Sequence, residues 1–450
     1  MHIFNLFRNG FTRVLFLMLV GGLVVFCGVW SAFGAQYDYV DINSPALRKI
    51  PTAIPLFKPV NQTPDEIAVS REAADMLADM LVFTGFFKML DRGAFLIDPH
   101  APNIVASQIK FKNWTGIGAE LLVTGGVVLE DGLLNMELRL FDTFKAQLLV
   151  GKRYKGRRDD LRRMIRRFSS EIIFVLTGNR GIFDSKITFV STVKGKKEIF
   201  VCDFDGKDPV QLTHNNSISL SPAWSSDGKW IAYTSYAKNK PDLYIQQVYK
   251  KMGAVVSKKG INIAPSWVPG KLQLAATLSF EGDPEIYLLT ETGKIIKRLT
   301  HSPGIDVSVS WSPDGKKMAF VSKRAGAPQI YIKEVASGQV RRLTFEGNNN
   351  TQPAWSPTGN RIAYTAMDKD GLNIRVIGTD GRGLAQMTHD AGDNESPSWS
   401  PDGSLIVFSS DREGTSRVYI MTAYGTDQRR LLNLPGRQSE PNWSGSMVAQ

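Results

Sequence analysis

Cysteine and histidine are scarce in this chain, at two and five of 450 residues. Two cysteines cannot build a disulfide framework, and neither Cys27 nor Cys202 stands in a Cys-x-x-Cys pair. No Gly-x-Ser-x-Gly elbow, no P-loop and no His-Glu-x-x-His occurs. Those absences remove the sequence signatures of the serine hydrolases, the P-loop nucleotide hydrolases and the zinc peptidases. The 40 glycines and 22 prolines follow no Gly-X-Y period, which excludes collagen. Apolar residues make up 43% and charged residues 22%, an ordinary globular balance that excludes disorder along most of the length. Basic side chains outnumber acidic ones 54 to 43, and the net charge of +11 permits an anionic partner without naming one.

Residues 1–34 have the pattern of a secretory signal peptide. Arg8 and Arg13 form a basic start, Val14 to Trp30 an apolar run, and Ala32-Phe33-Gly34 a small-x-small cleavage pattern. Cleavage is expected after Gly34 or Ala35, which implies export. An uncleaved membrane anchor is the alternative, since the run approaches the ~20 residues that span a bilayer. Lipid attachment at Cys27 is disfavoured by the preceding Phe26, where a lipobox carries a small residue. Removal of the signal leaves Cys202 alone, so stability has to come from the core.

A long internal period dominates the rest. Trp224, Trp267, Trp311, Trp355, Trp399 and Trp443 recur at spacings of 43, 44, 44, 44 and 44. Phrases such as Pro397-Ser398-Trp399-Ser400-Pro401-Asp402-Gly403 surround them, and a second phrase of alternating character (Ile330-Tyr331-Ile332) falls between. Each period reads as four short strands joined by tight glycine turns, which is the unit of a β-propeller blade. A parallel β-solenoid conflicts with those hairpin turns. The second-strand phrase begins at Ile187, whereas the tryptophan phrase begins at Trp224 and ends at Trp443. The chain therefore enters one strand late, and Pro441 to Ser444 is expected to supply the inner strand of the first blade. That clasp closes six blades and leaves no free edge.

The period is absent before Ile187, so residues 35–183 are expected as a separate α/β domain with a small mixed sheet and two helices, and 184–450 as the propeller. Thr63-Pro64-Asp65-Glu66 is a capping box with Pro at the first helical position. Ile67, Ala74, Ala78 and Leu81 are expected on its buried face. Leu121 to Leu129 and Leu133 to Asp142 read as a hairpin around Glu130-Asp131-Gly132. Leu161, Ile165, Phe168 and Ile172 form the apolar stripe of a second helix.

Three features invite chemical readings. His214, His301 and His389 repeat after the outermost strands, which spreads them around the rim, too far apart for one zinc ion. Asp203-Phe204-Asp205-Gly206-Lys207-Asp208 resembles a short calcium loop but stands where every blade has a turn, so a turn is expected. Lys152 to Arg167 holds nine basic and two acidic residues. A solvated helix face is the expectation, contact with an anionic envelope surface the next, and nucleic acid is not expected for an exported chain.

Taken together, the sequence resembles the TolB family, periplasmic propeller proteins of the Tol-Pal system in Gram-negative bacteria. Ile54-Pro55-Leu56-Phe57, Thr63-Pro64-Asp65-Glu66-Ile67 and Phe86-Phe87-Lys88-Met89-Leu90-Asp91-Arg92 carry the likeness in the N-terminal part, and x-Trp-Ser-Pro-Asp-Gly carries it more weakly in the propeller. Blade 3 departs from the pattern, with Val268-Pro269-Gly270 lacking the turn aspartate.

The resemblance implies a non-enzymatic scaffold with no catalytic, cofactor-binding or metal-binding residues. It implies partners in the outer-membrane lipoprotein Pal and the inner-membrane protein TolA, with other envelope proteins possible and membrane association only through partners. The implied role is envelope integrity and outer-membrane invagination at division. The resemblance puts Ala264, Thr351 and Gln352 at family contact positions, and the varied segments before the tryptophan phrases add Asn350, Asn394, Glu395 and Glu440 as candidate Pal-binding residues. Tyr37, Tyr39, Val40 and Ile42, in a β-prone segment between Gln36 and Ser44, are the candidates for TolA. A secreted propeller hydrolase or lyase with its site in the central channel is the alternative.

Overall fold

The computed structural model describes residues 48–96, 104–248, 250 and 252–447. The signal-like segment and Tyr37, Tyr39, Val40 and Ile42 lie outside the described residues. Among the described residues, no helix is long and apolar enough to cross a membrane.

The N-terminal region is a mixed sheet with helices on both faces. Strands β1 (Ile50–Ala53), β2 (Lys58–Pro59), β3 (Phe87–Met89), β4 (Leu121–Glu130), β5 (Leu133–Asp142) and β6 (Gln147–Arg157) are ordered β3-β1-β4-β5-β6, with β2 pairing β4. Pairing of β1 with β3 and β4 is parallel, and the β4-β5-β6 meander is antiparallel. The β4–β5 turn forms as expected: Asp131 and Gly132 take positive φ of 51° and 75°, the two-residue geometry that suits the strand twist.

Helices α1 (Pro64–Phe83) and α3 (Leu161–Thr177) cover one face, where Val123, Val127, Leu134 and Leu138 meet Leu77, Leu81, Ile165 and Phe168. A short helix the sequence did not reveal, α2 (Phe111–Gly116), covers the other with Trp114 against Leu122 and Phe141.

Only half of the expected capping box forms. Thr63 Oγ1 accepts from Glu66 N at 3.3 Å, but the Glu66 carboxylate reaches past the cap to Asn61 N (2.7 Å) and to Leu129 N in β4 (2.8 Å). Glu66 is thereby fully buried, and the inward face of α1 is Glu66, Val69, Ser70, Ala73, Ala74, Leu77, Met80 and Leu81. Ile67, expected inside, is 47% exposed. The sheet hairpin recruited the carboxylate and turned the helix accordingly. Along α3 the expected stripe of Leu161, Ile165, Phe168 and Ile172 is buried.

Six four-stranded antiparallel sheets follow. Blades 2 to 6 run in chain order from inner to outer strand, with inner strands Ser219–Trp224, Asn262–Trp267, Asp306–Trp311, Asn350–Trp355 and Asn394–Trp399. Blade 1 takes its inner strand, Gln438–Trp443, from the C-terminal end, paired antiparallel to Lys186–Val193 with Trp443 opposite Ile187. The ring is closed by the clasp that the repeat phase predicts. In blades 3, 4 and 6 the tryptophan indole N–H donates to a carbonyl of the preceding blade: Trp267 to Ala223 (3.1 Å), Trp311 to Ser266 (3.3 Å) and Trp399 to Ala354 (3.0 Å). The repeat is thus a device for stitching blades together.

The two regions share one core. Leu81, Ile173, Phe183, Phe204, Leu405 and Ile420 belong to a single cluster of buried side chains. Beside it, the basic face of α3 divides: Arg163 and Arg167 are exposed as expected, whereas two others turn to the propeller. Arg162 and Arg166, one turn apart, reach the turn that was read as a possible calcium loop. Arg162 pairs with Asp203 (3.3 Å) and Asp205 (2.9 Å), and Arg166 with Asp203 (3.3 Å) and Asp184 (3.1 Å). Lys186 adds a third cation on Asp203 at 2.8 Å. Burial works against the charge on Asp203, but the Lys186 bond and the Lys186, Arg166 and Arg162 charges outweigh it and hold the carboxyl below its ordinary range.

Candidate functional site

Each inner strand has the same irregularity. Between its second and fifth residues the register against the next strand slips, in every blade. The residue at the slip takes a left-handed conformation without being glycine: Ser221, Ala264, Ser308, Gln352, Ser396 and Glu440, with φ between 50° and 57°. In five of the six the next residue is proline. Proline lacks the N–H a ladder needs, so it is confined to bulges and free edges, and the inner strand has both. Side chains rarely adopt positive φ, and each such residue carries roughly 1–3 kcal/mol of strain. Six of them in a ring are held by the surrounding blades.

The ring surrounds a channel of about 890 Å³, walled by these residues, the prolines and the inner faces of the tryptophans. Neighbouring blades are bonded to one another there. Gln352 Oε1 accepts from Ser396 N (2.9 Å) and from Thr365 Oγ1 (2.7 Å). Glu440 Oε2 accepts from Ser221 N (2.7 Å) and Ser221 Oγ (3.1 Å). Burial pushes the Glu440 carboxyl above its ordinary range, against the pull of those two bonds. Burial raises Glu395 as well, and the neighbouring Glu440 charge adds to it. The titratable side chains of the channel wall are Arg180 and Glu440.

The expected site residues fall unevenly on this geometry. Ala264, Gln352 and Glu440 occupy the same left-handed position in blades 3, 5 and 1, so alternate blades bring them together around the channel. Thr351 and Glu395 are half-buried next to Gln352 and Ser396. Asn350 and Asn394, expected at the surface, are fully buried. Asn350 Nδ2 donates to Gln329 Oε1 (2.8 Å) and Glu346 O (2.7 Å), and Asn394 Nδ2 to Gly392 O (2.7 Å). These two side chains pin the start of their strands and have no surface to offer. The reason for the difference is that the segments before each tryptophan phrase are the inner strands themselves, not loops. The ring of left-handed residues went unread, although Pro two places before Trp in five blades was its visible sign.

The two faces of the ring differ. The turns between third and fourth strands of blades 1 and 6 meet the α/β region: Asp203 and Asp205 bind Arg162, Asp427 binds Lys49 at 2.7 Å, and Arg429 donates to Phe83 O at 2.6 Å. Gly178 to Gly181, just after α3, border the channel at that same end, beside Ser226 and Pro269. The opposite end is where the inner strands begin. Among the described residues, no part of the α/β region makes a hydrogen bond or ion pair there.

Comparison with known proteins agrees with this architecture. Residues 174–447 match the model of the TolB beta propeller domain, and residues 38–149 that of the TolB amino-terminal domain. The Tol-Pal system protein TolB of Desulfosudis oleivorans is 57% identical over 268 residues, covering 60% of this chain and 61% of that protein. A TolB homolog of Chlorobium chlorochromatii is 42% identical over 268 residues, 60% of each chain. These matches thus span about 60% of the relatives' length. The crystal structure of TolB from Acinetobacter baumannii superposes with a TM-score of 0.77 at 27% identity, covering 89% of this chain and 97% of that one. With both regions matched in sequence and the architecture matched in space, the chain belongs to the TolB family.

Proposed function

We propose that the protein is a non-enzymatic periplasmic scaffold of the Tol-Pal system, binding Pal at the open channel mouth and TolA through residues 36–44. The observation that carries this reading is the asymmetry of the ring. One face is occupied by the α/β region, and the other presents Ala264, Thr351, Gln352, Glu395 and Glu440 around a preformed opening. Rigid rings that display varied residues at one end are recognition surfaces.

Family membership supports a role in envelope integrity and division. Asn350 and Asn394 enter this proposal as positioning residues beneath the mouth. The test is titration of purified Pal and of purified TolA against the full-length protein. Thr351→Arg, Gln352→Arg and Glu395→Lys together should weaken Pal at least tenfold, about 1.4 kcal/mol. Deletion of residues 36–44 should weaken TolA alone. Pal affinity within about twofold of the parent would refute the channel assignment.

A further inference from the structure

Three successive junctions between blades share one plan, and the middle one departs from it. In blades 3, 4 and 5 the first residue of the inner strand donates its backbone N–H to the carbonyl just before the third strand of the preceding blade: Asn262 to Pro241 (3.1 Å), Asp306 to Pro284 (2.9 Å), Asn350 to Pro328 (3.0 Å). Their side chains then meet the side chain that opens that third strand. Between blades 4 and 5, Asn350 Nδ2 donates to Gln329 Oε1 at 2.8 Å. Between blades 2 and 3, Asn262 Nδ2 lies 3.4 Å from Asp242 Oδ1. An amide N–H fills the gap each time.

Between blades 3 and 4 the same two positions hold Glu285 and Asp306, each 1% exposed. One oxygen of each is satisfied. Glu285 Oε1 accepts from Arg298 Nη2 (2.9 Å) and Ser302 N (2.8 Å), and Asp306 Oδ2 from Arg324 Nη2 (2.8 Å). The other two, Glu285 Oε2 and Asp306 Oδ1, are buried with no hydrogen-bond partner. Buried lone pairs without donors are destabilising, and two carboxylates side by side repel. We propose that Asp306 keeps a proton at its orphaned oxygen against the Glu285 carboxylate, so that the junction of blades 3 and 4 is a latch that tightens in acid and loosens as the pH rises.

A proton supplies the single donor that the amide supplies elsewhere. It turns two orphaned oxygens into one charge-assisted O–H···O bond. A divalent cation is the poorer occupant, because Arg298 and Arg324 already balance the two carboxylates. The remaining charged groups here are Glu281, bonded to Arg298 (3.2 Å), Asp283, bonded to Gly304 N (3.0 Å), and Lys333 on the third strand of blade 4. Burial pushes the Asp306 carboxyl above its ordinary range. The Ser322 hydroxyl and the Arg324 charge pull against that, and Glu285 adds to it.

The sign follows. A carboxyl raised in the folded state keeps a proton the unfolded chain has lost, so stability is greatest below about pH 4 and falls as the pH climbs through the folded value. Asp306 stands two residues before the left-handed Ser308, so the proton is held under the channel wall of blade 4.

The experiment is thermal melting of the full-length chain and of Asp306→Asn and Glu285→Gln, each from about pH 4.5 to about pH 8. Either variant places one amide against one acid, the pairing found between Asn262 and Asp242 at the junction of blades 2 and 3. Both should melt with the parent at the acid end and several degrees above it at the alkaline end. An infrared difference between parent and Asp306→Asn should show a protonated carboxyl band in the parent at neutral pH, a readout that remains if one variant folds poorly. Parallel melting profiles without that band overturn the proposal. So does a parent melting temperature that rises with calcium and falls with chelator at fixed pH while Asp306→Asn responds to neither, which would mean a bound cation.

Discussion

Removing the C-terminal strand is the sharpest perturbation of the ring, and its cost can be worked from contacts. A chain ending at Arg437 lacks Gln438–Trp443, the inner strand of blade 1. Trp443 is 6% exposed and packs in the cluster that holds Ile187, Phe189, Leu405 and Val407. Its indole N–H donates to Ser185 Oγ at 2.8 Å, and its backbone N–H donates to Ser398 Oγ at 3.0 Å. Loss of a buried Trp costs about 3–5 kcal/mol, and the indole bond about 1 more. That sum approaches the whole of a stability near 5–15 kcal/mol. At about 2–4 °C per kcal/mol, the melting temperature should fall by on the order of 10–20 °C. The uncovered edge of Lys186–Val193 should also make the truncated protein associate. Calorimetry and size-exclusion chromatography on the truncated and full-length proteins read both effects. A truncated chain that stays monomeric and melts within a few degrees of the parent would refute the clasp as the closure of the ring.

Other substitutions separate the remaining devices. Trp224 Nε1 is buried without a partner whereas Trp267 Nε1 donates to Ala223 O, so Trp267→Phe should destabilise by about 1 kcal/mol more than Trp224→Phe in denaturant titrations. Glu66→Ala strands the N–H groups of Asn61 and Leu129 and should cost about 2–4 kcal/mol, with Glu66→Gln recovering part of it. Because Asp203 is held below its ordinary range, its ion pairs stabilise above about pH 4 and are lost as the pH falls through the lowered value. Asp203→Asn should therefore flatten the acid limb of the stability profile while weakening the protein at neutral pH.

What the sequence reveals here depends on whether a residue acts through its repeat or through a distant neighbour. The tryptophan spacing carries the blade count, the phase and the clasp, because each Trp does the same work at the same place in every period. The Thr63 half of the capping box and the Asp131-Gly132 turn are legible for a similar reason: each is a local solution to backbone hydrogen bonding. Contacts across the chain are not. Nothing near Arg162 says that it meets Asp203 and Asp205, some forty residues on, and a basic stretch read alone looks like a solvated face. Nothing near Ile67 says that Glu66 will be drawn inward by Leu129 and rotate the helix with it.

The candidate site lies between these cases. Its candidate residues come from the segments before each tryptophan phrase, and the structure puts Ala264, Gln352 and Glu440 at one left-handed position of their blades. Its form was hidden, because variation before each tryptophan phrase looks like a loop when it is a bulged strand. In that strand the side chain at the slip faces the channel and the one two places earlier is buried, so Gln352 and Asn350, adjacent candidates by sequence, end on opposite sides of the wall. The same alternation explains why the departure at Asp306 matters. A buried position at the head of a strand tolerates only a side chain that completes its junction, and a carboxyl facing a carboxyl completes it only with a proton.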